Sequence, residues 1–277
     1  MLKRLLILLS VLLPCCAMAQ DAAVRPVKSA FMLEAGSTHL LDTYLSPLKY
    51  TGWHTALSYE RIQAMKFSPE RWRQQLNLGL EFNSGENPAK NSDLLYGNLS
   101  VSWAMSRMWR LPHNLRVSVG GYAGVDIGVM YNSRNSNNPA AVKADIAVGP
   151  IASLGWSFTL KKLPIALRWQ TSMPLMGAFF SPEYDELYYE IYLGNHHGLA
   201  HFGWPGNIFR WDNLVTADLQ LGTSQLRVGF RSRIFSSEVN HITTRNFSYA
   251  FVLGVVSDWL SVSPRRSLPK GNVEWAY

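Results

Sequence analysis

The chain has 277 residues, of which 16% are charged and 12% are aromatic, and its formal net charge is +7 at pH 7. Soluble domains carry roughly a quarter of charged residues, so this chain is poor in charge. Its two cysteines are the adjacent Cys15 and Cys16. This placement excludes a disulfide framework, a cysteine nucleophile and a cysteine-ligated metal from the rest of the chain. No basic run interleaved with aromatic residues indicates a nucleic-acid partner.

Residues 1–19 have the pattern of a secretory signal peptide. Lys3 and Arg4 form a charged start, Leu5–Leu13 is an apolar run, and Ala17-Met18-Ala19 is a cleavage site. The apolar run is about half of the ~20 residues that a membrane-spanning helix needs. We therefore expect cleavage after Ala19 and export of the remainder. A retained membrane anchor and a lipidated cysteine are the alternatives.

Two long segments, 114–131 and 141–160, carry the clearest structural signal. In the first, every odd position from Leu115 to Tyr131 is apolar or glycine, and in the second the even positions are the apolar ones. A period of two indicates β-strand. Globular strands usually run 3–10 residues. Strands about twice as long, with one apolar and one polar face, predict a barrel wall with lipid outside and a polar lumen inside. Pro150 interrupts the second segment and predicts a bulge or a strand edge above the membrane.

Alternating segments recur along the chain, separated by polar turns. Short turns follow the second, fourth, sixth and eighth segments, and the longest connections follow the fifth, seventh and ninth, which is the loop pattern of outer-membrane barrels with periplasmic termini. Residues 187–193 also alternate and leave twelve strands as the main alternative to ten. The ten predicted segments are 30–42, 50–63, 72–82, 94–106, 114–131, 141–160, 163–175, 211–221, 225–235 and 246–256.

The predicted fold class is therefore all-β, a transmembrane antiparallel up-and-down β-barrel of about ten strands. We assign residues 20–257 to the barrel and 258–277 to a polar periplasmic tail. Alternation also fits a secreted β-sandwich or a lipocalin-like barrel with its apolar face inside. Strand length, low charge and the ten Trp residues favour lipid outside.

The combination of signal peptide, alternation and loop pattern resembles the small outer-membrane β-barrels of Gram-negative bacteria as a class, which includes many families of unknown function. The resemblance covers about residues 30–256. It implies an outer-membrane location, contact with outer-membrane lipid, and delivery by periplasmic chaperones and the barrel-assembly machinery. From the alternation and the signal peptide we further expect a non-enzymatic monomer without a cofactor or a metal, in a structural or surface-interaction role.

Three of the seven histidines, His196, His197 and His201, lie in the long connection 176–210. His197 and His201 have the i,i+4 spacing that places two metal ligands on one helix face. Gly198 lies between them and disfavours a helix, and no third ligand is evident. We expect a folded extracellular loop with ordinary hydrogen-bonded histidines, and metal binding or catalysis are the alternatives.

Known barrel enzymes provide a comparison for catalysis. The run Asn195-His196-His197-Gly198 weakly resembles the histidine segment of outer-membrane phospholipases, whose nucleophilic serine lies two residues after the histidine. Gly198 and Leu199 occupy those positions here. The ten-stranded outer-membrane aspartyl-type proteases carry an Asp-x-His motif, which is absent from this sequence. We therefore assign no catalytic residue, and a lipid hydrolase with His196 or His197 as base is the alternative.

Charged residues on the inward faces form the second candidate site. Eight strands enclose a lumen that side chains fill, whereas open aqueous pores need roughly sixteen. Ten strands therefore predict an internal polar network rather than the alternative, a small anion-preferring channel. The predicted lumen charges are Arg116, Asp126, Asp145, Arg168, Asp218, Arg227, Arg231 and Arg233.

Overall fold

The computed structural model describes residues 25–195, 197–221 and 224–260. The predicted signal peptide and all but three residues of the predicted tail lie outside these ranges. A single short helix, α1 (Tyr188–Tyr192), accompanies the strands of the described chain. The strands are β1 (Pro26–Asp42), β2 (Ser46–Ala64), β3 (Trp72–Glu86), β4 (Asp93–Leu111), β5 (Leu115–Asn132), β6 (Ala140–Leu160), β7 (Leu163–Ser172), β8 (Met176–Phe180), β9 (Ala200–Gly203), β10 (Ile208–Leu221), β11 (Ser224–Val239) and β12 (Ile242–Leu260).

The sheet closes on itself as an antiparallel barrel. Each strand from β1 to β6 pairs with the next in sequence, and β12 pairs with both β11 and β1. β7 lies between β6 and β10. The short strand β8 continues the path of β7 along β6, and β9 pairs with β8 and runs in the direction of β10. The twelve segments therefore fill ten positions around the ring, and the prediction of an all-β, ten-stranded antiparallel barrel is confirmed.

Pro150 accounts for the break between β7 and β8. Its carbonyl accepts a hydrogen bond from the Met173 N–H, at 3.3 Å, so its backbone polar groups face the β7 side. Proline has no backbone N–H, so β6 offers its neighbour no hydrogen-bond donor at this position. The neighbouring chain is irregular at the same level, between Ser172 and Met176. β6 stays continuous from Ala140 to Leu160. The expected irregularity lies in its neighbour, where three residues, 173–175, lie opposite Gly149 and Pro150 between the pairs Ile151–Ser172 and Val148–Met176.

Apolar side chains point outward and polar ones inward. Phe31, Leu33 and Phe251 expose 61%, 54% and 76% of their surface, whereas Glu34 and Arg227 are fully buried in the lumen. The predicted sidedness of the strands is therefore correct, and it is the reverse of the arrangement in a water-soluble barrel.

The connections differ from the prediction at one end. The segment predicted as a long connection after the ninth strand is almost entirely strand, because β11 and β12 meet in the turn Asn240-His241. Both turn residues have positive φ (51° and 60°), as a two-residue hairpin turn requires. The predicted long connection 176–210 shortens to 181–199, and its stretch 187–193 holds α1 rather than a strand. No helix in the described part of the chain has the length and apolar character to cross a membrane.

Barrel closure predicts a specific cross-link. Leu33 and Leu253 lie directly opposite each other on β1 and β12, at a separation that a disulfide can bridge. With Cys15 and Cys16 replaced by alanine, Leu33→Cys/Leu253→Cys should form an intramolecular disulfide on mild oxidation, seen as a mobility change on non-reducing gels. Leu33→Cys/Val125→Cys, with β5 four positions away in the ring, should not. An equal yield from both pairs would contradict the closed register.

Candidate functional site: ion pairs in the lumen under an apolar cap

A first group of charges spans the lumen around Glu60, in the half of the barrel nearest the ends of the described chain. The Arg168 guanidinium donates to both Glu60 oxygens at 2.6 and 2.8 Å, and Arg227 Nη1 donates to Glu60 Oε2 at 2.7 Å. Arg227 also makes a bidentate pair with Asp218, at 2.6 and 2.9 Å. Lys28 Nζ lies 3.4 Å from Asp218 Oδ2. Strands β1, β2, β7, β10 and β11 are thereby joined across the lumen.

A second group surrounds Glu34 at mid-height. Arg231 Nη1 and Arg233 Nη1 each lie 3.0 Å from a Glu34 oxygen. Arg231 also binds Asp212 through two N–H groups, at 2.9 and 2.5 Å. The fully buried His54 ring lies 3.7 Å from Glu34 Oε2. Bidentate guanidinium pairs of this kind have a fixed geometry, so they hold the facing strands in one arrangement.

A third group joins three strands through Arg210. Asp126 and Asp145 are directly opposite each other on β5 and β6, where two carboxylates would repel one another. Arg210 lies between them, with Nη1 at 2.5 Å from Asp126 Oδ2 and Nη2 at 2.7 Å from Asp145 Oδ1. Asn98 donates to the other Asp126 oxygen at 3.1 Å. Close to the opposite end of the barrel, Lys143 Nζ pairs with the buried Asp42 at 2.5 Å.

An apolar cap closes the end of the barrel that carries the loop 181–199. Tyr44, from the turn between β1 and β2, donates from its hydroxyl to the Glu186 carbonyl at 2.8 Å, and the Tyr188 hydroxyl accepts from the Val142 N–H at 2.7 Å. The loop 181–199 is thus tied down over the barrel mouth. The buried side chains of the cap are Leu40, Tyr44, Leu45, Tyr50, Leu94, Met130, Ala141 and Ile242, with Tyr96 and Tyr188 packed against them.

Two cavities lie between the described lumen side chains of these groups. A cavity of about 140 Å³ lies between the ion pairs around Glu34 and those around Arg210. Arg210, Asp212 and Arg231 are in its lining, together with Tyr96 and Tyr122. A smaller one of about 40 Å³ has Arg73, Arg116 and Arg168 in its lining. Polar cavities of these sizes have room for water molecules that bridge buried charges.

Seven of the eight predicted lumen charges take part in the ion pairs above: Asp126, Asp145, Arg168, Asp218, Arg227, Arg231 and Arg233. Arg116, the eighth, lines the smaller cavity. Their partners were not predicted from the sequence, although most of them share the inward parity of neighbours such as Ser58 and Thr216. Arg210 was missed because β10 starts earlier than predicted. The missed charged and titratable partners are Lys28, Glu34, Asp42, His54, Glu60, Arg210 and Asp212.

The histidine candidates do not come together on a helix. His197 is exposed in a turn, His201 belongs to β9, and His196 lies outside the described residues. His197 and His201 do not lie on one helix face, because Gly198 between them adopts a positive φ of 67°, which does not occur in a right-handed helix. His201 Nε2 lies 3.1 Å from the Ser181 carbonyl and 3.3 Å from Asn240 Nδ2. No group of three or more potential metal ligands occurs among the described residues.

Comparison with known proteins gives a family. A family model with the description "Protein of unknown function (DUF3316)" matches residues 4–266. The chain belongs to the DUF3316 family. A search of the curated proteins finds no match for this DUF3316 chain.

Several solved structures resemble the DUF3316 barrel. The outer membrane protease OmpT from Escherichia coli matches at 7% identity and a TM-score of 0.45, with 87% of this chain and 98% of that one covered. The transport unit of the autotransporter AIDA-I from Escherichia coli matches at 6% identity and 0.45, with coverages of 88% and 92%. The outer membrane protein OprG from Pseudomonas aeruginosa matches at 9% identity and 0.30, with coverages of 87% and 96%. Similarities at this level of identity and TM-score do not indicate a shared function.

Removal of one buried charge tests the lumen network. Arg227→Met leaves Glu60 and Asp218 each with one fewer cation in a fully buried position. Breaking a buried pair in this way should lower the free energy of unfolding by about 3–5 kcal/mol. Arg71→Met removes a guanidinium that is 62% exposed and paired with Glu70, and should cost less than about 1 kcal/mol. Urea unfolding in detergent micelles measures both, and similar values for the two variants would argue against the network.

The cap should weaken at alkaline pH. Burial raises the pKa of Tyr188 from 10.0 to about 12, partly offset by the Val142 N–H. A folded pKa above the unfolded value means that the stabilising contribution is complete below about pH 10 and is lost as the pH rises toward 12. The difference in unfolding free energy between the native chain and Tyr188→Phe should therefore shrink over this interval. A difference that is constant from about pH 9 to 12 would show that Tyr188 is not buried in the cap.

Proposed function

We propose that this chain is an integral outer-membrane barrel of a Gram-negative bacterium, non-enzymatic, sealed against through-passage, and engaged in a structural or surface-interaction role. The observation that supports this most strongly is the combination of an apolar outer wall with a polar lumen that is filled by ion pairs. Apolar side chains exposed all around a closed ring would be costly in water and are favourable in lipid. Its cleaved leader and its delivery by periplasmic chaperones and the barrel-assembly machinery belong to the same proposal.

The pairing of the lumen arginines weighs against the anion-preferring channel. Arg227, Arg231 and Arg233 are each within 3.4 Å of at least one carboxylate, so their charge is neutralised locally. An anion in the lumen would have to displace a carboxylate from a bidentate site. The apolar cap at the extracellular end adds a second barrier, because an ion gains no hydration there.

The arrangement of the loop weighs against the lipid hydrolase. A histidine base must lie within hydrogen-bond reach of its nucleophile. His201 contacts the Ser181 backbone carbonyl and the Asn240 amide instead of a serine hydroxyl. Of the two candidate bases, His197 is exposed at a turn and His196 lies outside the described residues.

A surface role is favoured by the loop 181–199. Its inner residues Tyr188 and Glu186 hold the cap, while Tyr189, Tyr192 and Leu193 expose 67%, 83% and 65% of their surface. Exposed aromatic side chains that are held on a fixed backbone are typical of contact surfaces. We assign the extracellular contact of this protein to that loop.

The proposal is tested by membrane fractionation and planar-bilayer recording. The protein should sediment with outer membranes and migrate faster in SDS before boiling than after, because a closed barrel stays compact. It should give no discrete conductance steps in a planar bilayer. Incubation with phospholipid and lipopolysaccharide should release no fatty acid. Recovery as a soluble periplasmic protein would overturn the membrane assignment, whereas regular conductance steps or acyl release would overturn the sealed, non-enzymatic role.

A further inference from the structure

The outer wall has a depression where small residues on two strands lie between large residues on their neighbours. In one row of paired residues, Trp103 on β4 faces Ala123 on β5, Ala123 faces Val148 on β6, and Val148 faces Met176 on β8. The next row toward the periplasm runs from Met105 to Gly121 and then to Pro150. All of these residues have the outward parity of their strands.

The depression is an open groove of about 490 Å³. Trp103 and Met105 form one side, and Leu175 and Met176 form the other. Its floor is close to bare backbone, since Gly121 carries no side chain and Pro150 carries only its ring. A Cβ atom built at Gly121 would meet nothing closer than 3.8 Å, so the backbone does not itself require glycine there. The missing side chain therefore leaves space on the outside of the wall rather than relieving a backbone clash.

A cation stands at the periplasmic end of this groove. Arg107 follows Met105 by two residues on the same outward face of β4, a rise of about 7 Å. Its guanidinium lies 5.4 Å from the centre of the Trp109 ring, the next outward residue toward the periplasm. Tryptophan is enriched at the membrane interface, and guanidinium binds phosphate through two N–H groups. Arg107 therefore lies where the headgroup of a periplasmic-leaflet lipid would be, and the groove lies where its acyl chain would run.

We propose that this groove binds one phospholipid of the periplasmic leaflet, with its phosphate at Arg107 and the first part of one acyl chain between Trp103 and Met176. This inference rests on the proposed membrane location and adds a specific lipid site to it. The apolar lining suits a hydrocarbon chain and the exposed Arg107 suits an anionic phosphate. Arg107 lies on β4, the strand that also supplies Trp103 and Met105 to one side of the groove.

Native mass spectrometry of the full chain, released from mild detergent after titration with phosphatidylglycerol, tests the site. The native chain should retain one lipid saturably. Gly121→Leu fills the groove without a backbone clash and should weaken retention at least fivefold. Gly97→Leu is the matched control, because Gly97 on β4, like Gly121 on β5, has the outward parity of its strand, and an added Cβ at Gly97 meets nothing within 4 Å. Arg107→Gln should remove the preference for phosphatidylglycerol over neutral diacylglycerol.

The outcomes separate this inference from the proposed function. Heat-modifiable mobility of every variant establishes that the barrel has formed. A folded, detergent-soluble barrel with no saturable lipid, or with equal losses for Gly121→Leu and Gly97→Leu, would overturn the lipid site and leave the membrane barrel intact. A dimer that is lost in Gly121→Leu would assign the groove to a second copy of the chain instead. A protein that needs no detergent would overturn both proposals.

Discussion

The closed ladder of backbone hydrogen bonds is the constraint on which the rest of the structure depends. Every strand of the described wall pairs with a neighbour on each side except β9, which pairs with β8 alone, so the wall has very little open strand edge. Because side chains alternate along every strand, closure also decides which residues face the lumen. The pairing register then sets the height of each charge. Glu60, Arg168 and Arg227 come from three strands, but the ladder brings them to one level inside the barrel.

The ion pairs inside the lumen have a second role in fixing that register. Buried charges are poor sources of net stability, because desolvation offsets much of their attraction. They are effective against misalignment, however, since a slip of one residue would move an entire inward set to the lipid face. Such a slip on β11 would expose Arg227 and Arg231 to hydrocarbon, take Arg231 away from Glu34, and leave Asp218 with Lys28 in place of its bidentate guanidinium partner. A lumen filled with apolar residues would lack this penalty, because both faces of each strand would then be alike.

Alternation predicts the barrel where the two faces of a strand meet different surroundings. The segment 114–131 alternates cleanly and matches β5 to within one residue at each end. Alternation is lost where a strand extends beyond the apolar belt, because water then surrounds the outer face and both faces can be polar. Residues Ser236–Val239 and Ile242–Arg245 are polar or mixed, which led to a predicted loop in place of strand. The pairing of Arg210 with Asp126 and Asp145 could not be predicted either, because it depends on which distant strands face each other across the lumen.

The seam between β1 and β12 has a kinetic consequence. It pairs Pro26 with Leu260 and Asp42 with Thr244, so contacts of the longest possible sequence separation complete the wall. Chains dominated by such contacts fold slowly, because the entropy of closing a long loop is lost before any pairing compensates for it. Until β12 arrives, β1 presents an unpaired apolar strand that other chains can join. The time between synthesis of the first strand and docking of the last is therefore the interval in which this protein is most prone to aggregate.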